Sequence, residues 1–147
     1  MDFIYDDGGR ELAGFKGTTG DCVCRAIAIA TELPYKEVYD LINDFCKKER
    51  ITKRHRHRGS ARTGVCIKTI RKVMASLGWV WVPTMFIGSG CQVHLRAEEL
   101  PSGRIVVNLS GHNAAVVDGV LHDTYDCSRD ETRCVYGYWY KPRYGRE

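Results

Sequence analysis

The chain has 147 residues, of which 44% are apolar, and its formal net charge is +4. A chain of this length is expected to form a single domain, 1–147, and to bury roughly 68–70% of the surface that it exposes when unfolded. MDFIYDDGGR has acidic residues where a signal peptide needs basic ones, and no run of about 18 apolar residues follows, so we expect a cytoplasmic protein without a membrane partner.

The first half of the chain has the spacing of three helices. Residues 22–31 are apolar on nearly every side, which predicts a helix enclosed by the rest of the protein. Pro34 suits the first turn of a second helix, because apolar residues recur at i, i+3, i+4 and i+7 over residues 35–46. Thr63 is expected to cap a third helix, whose buried stripe lies within residues 67–77.

The second half changes to short β-branched and aromatic runs separated by turn residues. The runs WVWV, RIVVNL, HNAAVV, VLHDTY and CVYGYWY are typical of strands. A helical part over about 18–78 is thus followed by a sheet part over about 79–140. This order indicates an α+β fold, with the helices packed on a mostly antiparallel sheet.

One hairpin in the second half can be predicted residue by residue. The dipeptide Asp118-Gly119 lies between two apolar runs and fits a type I′ turn, which needs a positive φ at both residues. A two-residue turn there puts His112 and Asp123 on the same face of the sheet, as diagonal neighbours about 7–8 Å apart. We expect an imidazole and a carboxylate to meet across that distance.

Two cysteines lie at the start of the first helix, in TTGDCVCRAIAIAT. A thiol in the first turn of a helix meets unpaired N–H groups and the positive end of the helix dipole, which lower its pKa toward neutral pH. Cys22 and Cys24 point to nearly opposite sides of a helix, and Cys22 is nearer to its start. If this helix packs against the face that bears His112, Cys22 is the nucleophile, His112 the base and Asp123 the residue that fixes the tautomer of the base.

This arrangement resembles the papain-like cysteine hydrolases, particularly their small bacteriocin-processing peptidase domains. The resemblance rests on GDC at the start of an apolar helix, a histidine after Gly111 at the start of an apolar strand, and an aspartate on the next strand. It implies a cleft between a helical subdomain with Cys22 and a sheet with His112 and Asp123. It also implies a peptide or protein substrate, a thioester at Cys22, and no cofactor. Small uncharacterised bacterial and phage proteins with stretches like GHNAAVVDGVLHDTYD and RCVYGYW are similar as well.

The chain departs from the papain pattern at the position of the oxyanion donor. Papain-like enzymes have a glutamine several residues before the cysteine, and here that position falls at Lys16. The one glutamine of the chain is Gln92. Lys16, Thr18 and Thr19 are therefore the candidate oxyanion donors.

A basic stretch, KKERITKRHRHRGSAR, covers residues 47–62 with eight Lys and Arg residues and one Glu. Such a run is typical of a solvated loop, or of a site for nucleic acid or an acidic partner. It has no aromatic residues for base stacking, which favours the loop. The alternative function is a non-catalytic binding module that grips phosphates through Lys53, Arg54, Arg56 and Arg58. In the enzymatic interpretation, the same loop selects an acidic protein partner.

The seven cysteines are odd in number and scattered along the chain, so we expect free thiols rather than disulfides. A competing interpretation is a zinc site formed by Cys22, Cys24, Cys91 and His94, since CxC and CxxH supply four suitable ligands. Neither half has the usual spacing of a zinc finger, and the thiols of a helical CxC point apart. The sequence therefore predicts no metal site.

Overall fold

A computed structural model describes residues 1–17 and 19–143, which form three helices and a six-stranded sheet. The helices are α1 (Cys22–Thr31), α2 (Tyr35–Lys47) and α3 (Ile67–Ser76). The strands are β1 (Phe3–Tyr5), β2 (Val80–Pro83), β3 (Arg104–Leu109), β4 (His112–Val117), β5 (Val120–Asp123) and β6 (Gly137–Tyr140). Their order is β1-β5-β4-β3-β6-β2, and every neighbouring pair in this sheet except β1–β5 is antiparallel. The predicted α+β fold and mostly antiparallel sheet are confirmed.

Helix α1 is the central helix of the fold, as its apolar sequence predicts. It packs on β3 and β4 and contacts α2 on its other side. Of its ten residues, the three that keep part of their exposure are Cys22, Arg25 and Thr31. Among the described residues, no helix is long and apolar enough to cross a membrane.

The two faces of the sheet are covered differently. The helices share a core with Val106, whereas the other face packs on Leu95 and Val135 from loop segments. Alternate residues of a strand point to opposite faces, so His112 belongs with Leu121 to the loop-covered face. The expectation that α1 packs against the face bearing His112 is therefore wrong. The two elements meet at the end of a strand instead, as described below.

The β4–β5 hairpin has the predicted turn and register. The φ angles of Asp118 and Gly119 are 47° and 79°, and Val117 pairs with Val120. The ladder between these strands ends at the Ala115–His122 pair, so the first residues of β4 are not paired with β5. That early end leaves the start of β4 accessible from α1.

Two local predictions are corrected by the structure. Thr63 does not cap α3, which begins at Ile67 after Cys66. The hydroxyl of Thr63 lies 2.6 Å from that of Ser60 in a tight turn, so Thr63 belongs to the preceding loop. Strand β1 is an element that the sequence did not predict. Its three residues are all exposed, so they show no alternation of buried and exposed side chains, and the strand forms by parallel pairing with β5.

The expectation of free thiols throughout is wrong for one pair of cysteines. Cys91 and Cys134 form a disulfide, with their Cα atoms 5.8 Å apart. The segments that carry them lie side by side, because His94 and Cys134 form an antiparallel bridge and the N–H of Leu95 donates to the carbonyl of Arg133. Pairing of such distant segments leaves no local signal in the sequence. The free cysteines of the described residues are Cys22, Cys24, Cys46, Cys66 and Cys127.

Candidate active site

A cleft of about 500 Å³ lies between the start of α1, the β3–β4 turn and the segment that leads into α3. Cys22, the first residue of α1, and His112, the first residue of β4, both line this cleft. Cys22 is half-buried and His112 is buried. Apolar residues from α3 and the preceding loop form the opposite wall: Val65, Ile67 and Ile70.

His112 and Asp123 form a buried hydrogen-bonded pair. The Nε2 atom of His112 lies 2.7 Å from Oδ2 of Asp123. The second carboxylate oxygen, Oδ1, accepts the N–H of Thr124 at 2.7 Å and lies 3.6 Å from Nη2 of Arg25. Both carboxylate oxygens thus have partners, and the imidazole is held in a fixed orientation.

Cys22 reaches His112 at the end of β4 that is not paired with β5. There the ring of His112 and the backbone N–H of Asn113 both lie close enough to the sulfur of Cys22 to lower its pKa. Helix α1 therefore lies over the far face of the sheet while its first residue contacts the histidine. The structure brings Cys22, His112 and Asp123 together in the order that the sequence predicts.

The three groups shift one another's pKa values. Burial raises the pKa of Cys22, but the hydrogen bond and positive charge of His112, with smaller effects of Asn113 and Arg25, outweigh it and lower the pKa. Burial lowers the pKa of His112, but hydrogen bonds to Asp123 and to neighbouring thiols outweigh it and raise the pKa well above its usual value. Burial raises the pKa of Asp123, and His112 more than reverses this effect. The shifts of Cys22 and His112 both favour a thiolate beside an imidazolium over the neutral pair.

A buried charge network behind the triad was missed by the sequence analysis. Asp21 is fully buried, and its carboxylate binds Nη1 of Arg25. Oδ2 of Asp21 accepts a hydrogen bond from the hydroxyl of Tyr35 at 2.5 Å and lies 3.4 Å from Nε of Arg10. Arg25 therefore bridges Asp21 on α1 to Asp123 on β5. One signal was present in the sequence, since Arg25 is the single charge on α1 and Asp21 precedes it by four residues.

Cys127 is a further site residue that the sequence did not indicate. Its sulfur lies within 4.8 Å of the ligand atoms of both His112 and Asp123, and all three residues are buried. Burial raises the pKa of Cys127, which keeps its thiol protonated and able to donate to the pair. Cys127 follows β5 in a loop, and no spacing rule connects it to His112.

The three candidate oxyanion donors have different positions. The hydroxyl of Thr19 donates to the carbonyl of Arg62 at 2.7 Å, so it is engaged in holding the loop. Lys16 lines a neighbouring cleft rather than the one with Cys22, and its carbonyl accepts a bond from Nη2 of Arg62 at 3.1 Å. Thr18 lies outside the described residues. The N-terminal flanking residue of α1, Asp21, makes no capping bond with its side chain.

The basic residues proposed as a binding surface lie on the loop between α2 and α3. Lys53, Arg54, Arg56 and Arg58 are all exposed. Within the described residues, none of the four forms an ion pair with a carboxylate. Their charge is therefore free to act on a partner.

The four residues of the competing zinc interpretation are not brought together. The sulfur of Cys91 is bonded to Cys134, and Cys24 is fully buried with its thiol 3.8 Å from the carbonyl oxygen of Tyr35. Cys22 faces His112, and His94 Nδ1 lies 3.3 Å from a carboxylate oxygen of Glu99. That combination of ligands is not assembled.

Comparisons with models of protein families, with curated proteins and with solved structures found no match for this chain. The function of the chain is therefore inferred from the geometry of the site. Its main features are a thiol with a lowered pKa at the start of a buried helix and a histidine oriented by a buried carboxylate.

Proposed function

We propose that the chain is a papain-like cysteine hydrolase or acyl transferase that acts on a peptide, isopeptide or other amide bond. The observation that carries this proposal is that Cys22 and His112 line one cleft, where His112 lowers the pKa of the thiol and is itself hydrogen-bonded to the buried carboxylate of Asp123. The chain order Cys, His, Asp and the position of the cysteine at a helix start, with the histidine on an antiparallel sheet, also support it.

The reaction would begin with attack of the Cys22 thiolate on the carbonyl carbon of the substrate. The C–N bond then breaks as the His112 imidazolium gives its proton to the leaving amine, which leaves an acyl thioester on Cys22. In the second half, His112 takes a proton from water or from an acceptor amine, which attacks the thioester and releases the thiolate. Asp123 stabilises the imidazolium at both stages.

The oxyanion is the remaining charge that the site must stabilise. The first N–H groups of α1, those of Cys22 and Val23, have no acceptor within the helix, and both residues line the cleft. They supply donors beside the attacking sulfur together with the positive end of the helix dipole. This backbone site takes the place of the glutamine side chain of the papain pattern.

The test is selective alkylation of native protein with limiting iodoacetamide near pH 6, followed by mass-spectrometric mapping of the adduct. In chelator-treated protein, Cys22 should be labelled first, with Cys66 as an internal reference because it is also free and half-buried. The variant His112→Ala should label roughly 100-fold more slowly at Cys22, because an ordinary thiol with a pKa of about 8.5 is almost fully protonated at this pH. Equal labelling of Cys22 and Cys66, or no effect of the variant, would exclude an activated thiol.

A second candidate function is binding of nucleic acid or an acidic protein by the loop between α2 and α3. The observation that favours it is the exposure, without ion-pair partners in the described residues, of Lys53, Arg54, Arg56 and Arg58. Affinity for a DNA or RNA duplex should fall steeply with salt, with a slope of roughly 0.9 per phosphate contact on B-DNA. A gel-shift titration in which neutralising all four residues leaves affinity unchanged argues against this function.

A further inference from the structure

The single acid of the basic stretch, Glu49, is the centre of a second cluster of ligating side chains. Its carboxylate is 7% exposed, and Oε1 lies 3.1 Å from Nε2 of His55. Its other oxygen, Oε2, lies 3.8 Å from the sulfur of Cys66. The ligating atoms of these three residues all lie within 4.8 Å of one another. A carboxylate, an imidazole and a thiol thus converge where α2 ends and α3 begins.

A second thiol lies against this cluster. Cys46, three residues before Glu49, is buried, and its thiol lies near Glu49 and Cys66, outside the group of three ligand atoms that already lie within 4.8 Å of one another. The resulting spacing is Cys-x2-Glu-x5-His-x10-Cys. Three ligands of the types that zinc prefers therefore converge within one segment of the chain, with the thiol of Cys46 beside them, independent of the cleft with Cys22.

The neighbouring groups orient the carboxylate and balance its charge. The N–H of Gly59 donates to Oε1 of Glu49 at 2.7 Å, and the hydroxyl of Thr69 donates to Oε2 at 2.5 Å. Such outer contacts are typical of metal ligands, because they fix the ligand before the ion arrives. Two thiolates and a carboxylate around a divalent cation leave one net negative charge, and Arg58, whose Nε donates to the carbonyl of Glu49 at 3.1 Å, lies beside it.

We propose that Cys46, Glu49, His55 and Cys66 bind a zinc ion that closes the loop between α2 and α3. Four protein ligands describe a structural site rather than a catalytic one. The ion fastens the end of α2 to the start of α3, and so holds the loop that carries the exposed basic residues. The wall of the cleft formed by Val65 and Ile67 directly adjoins Cys66.

The experiment is titration of reduced, chelator-treated full-length protein with Co²⁺, followed by displacement with Zn²⁺. One Co²⁺ per chain should bind, with a thiolate-to-cobalt absorption band in the near ultraviolet and the intense visible bands of tetrahedral cobalt. His55→Ala and Cys66→Ser should each weaken binding by more than the roughly 10–100-fold expected for the outer-contact variant Thr69→Val. Since His55 is a loop residue, its replacement leaves the helices intact.

Two matched controls separate this site from the proposed active site. His57→Ala changes an exposed histidine of the same loop, and Cys22→Ser removes the proposed nucleophile; neither should alter the Co²⁺ affinity. Absence of a stoichiometric thiolate-bound ion, full binding by both His55→Ala and Cys66→Ser, or loss of binding in Cys22→Ser would overturn the proposal. Labelling of Cys22 by iodoacetamide is measured separately, so failure of either proposal can be recognised without the other.

Discussion

Removing Arg25 should damage both the stability of the fold and the reactivity of Cys22. Its guanidinium group contacts Asp21 on α1 and lies 3.6 Å from Asp123 on β5. Arg25 is 12% exposed at its side chain, and both carboxylates are buried. Arg25→Met retains much of the apolar stem but leaves Asp21 and Asp123 without their shared cation.

The magnitude of the loss can be estimated from these contacts. At an effective dielectric constant of about 20, two unit charges 3.6 Å apart attract by about 4–5 kcal/mol. Desolvation of both groups opposes this attraction, so the net value of the intact pair is smaller. Removing one partner leaves the other charge buried, and the measured cost in such cases is about 3–5 kcal/mol. Asp21 keeps Arg10 and Asp123 keeps His112, so we expect Arg25→Met to lower the free energy of unfolding by about 3 kcal/mol, the lower end of that range.

The assay combines urea unfolding with the pH dependence of Cys22 alkylation. The positive charge of Arg25 contributes to the lowered pKa of Cys22, so Arg25→Met should move the alkylation profile to higher pH. Arg104→Met is the matched control, because Arg104 also fastens α1 but does so at its other end. Its Nη2 donates to the carbonyl of Ile29 at 2.7 Å. This control should lose some stability and keep the alkylation profile.

Two results would refute this reasoning. If Arg25→Met unfolds at the same urea concentration as the parent protein, the buried charges are solvated or paired in some other way. If Arg104→Met shifts the alkylation profile as much as Arg25→Met, the shift reports general loosening of α1 rather than the charge beside Asp123. A shift confined to Arg25→Met separates the electrostatic effect from the structural one.

Three further predictions concern acid stability, close packing and the disulfide. Because the pKa of Asp123 is lowered, its contribution to stability is present above about pH 4 and is lost as the pH falls through that lowered pKa. Asp123→Asn should therefore make the free energy of unfolding in urea less dependent on pH between pH 5 and pH 2. An equal pH dependence in the variant and the parent protein would contradict this. Gly137→Ala places a Cβ 2.2 Å from an indole carbon of the adjacent strand and should lower stability by about 1–3 kcal/mol or more, whereas an unchanged melting temperature would refute the close approach. Replacing Cys91 and Cys134 by serine should cost about 2–4 kcal/mol in chemical denaturation, and equal stability with and without reductant would show that the bond does not form.

The parts of the fold that the sequence predicts are those with local causes. The first helix has the predicted bounds, Cys22–Thr31, because an apolar run flanked by Gly20 and Pro34 leaves little choice of where a helix starts and ends. The β4–β5 hairpin has the predicted register because Asp118 and Gly119 adopt the two positive φ angles of a type I′ turn, which joins two strands through two residues. In both cases, the residues within a few positions determine the geometry.

The parts that the sequence did not predict depend on distant segments. Strand β1 forms because Phe3 pairs with Leu121, and three exposed residues carry no pattern of their own. The disulfide between Cys91 and Cys134 requires two segments that lie next to each other only in the folded chain. Asp21 and Arg25 could be noticed as neighbours on a helix, but their link to Asp123 depends on how α1 lies against β5.

The position of α1 explains why a wrong assumption about the sheet face still led to three residues that meet in the structure. Because side chains alternate between the two faces of a strand, His112 lies on the face away from the helices. If β4 and β5 were paired along the whole of β4, β5 would lie between the imidazole of His112 and α1. The ladder ends at Ala115 instead, and the N–H of Asn113 lies close enough to the sulfur of Cys22 to lower its pKa. If the pairing of β4 with β5 extended to Asn113, the thiol of Cys22 would therefore be separated from the imidazole of His112. Every helix, and the face of the sheet to which each residue points, would stay the same. The candidate site depends on where the hairpin stops pairing, which is a property of the assembled sheet and not of the hairpin sequence.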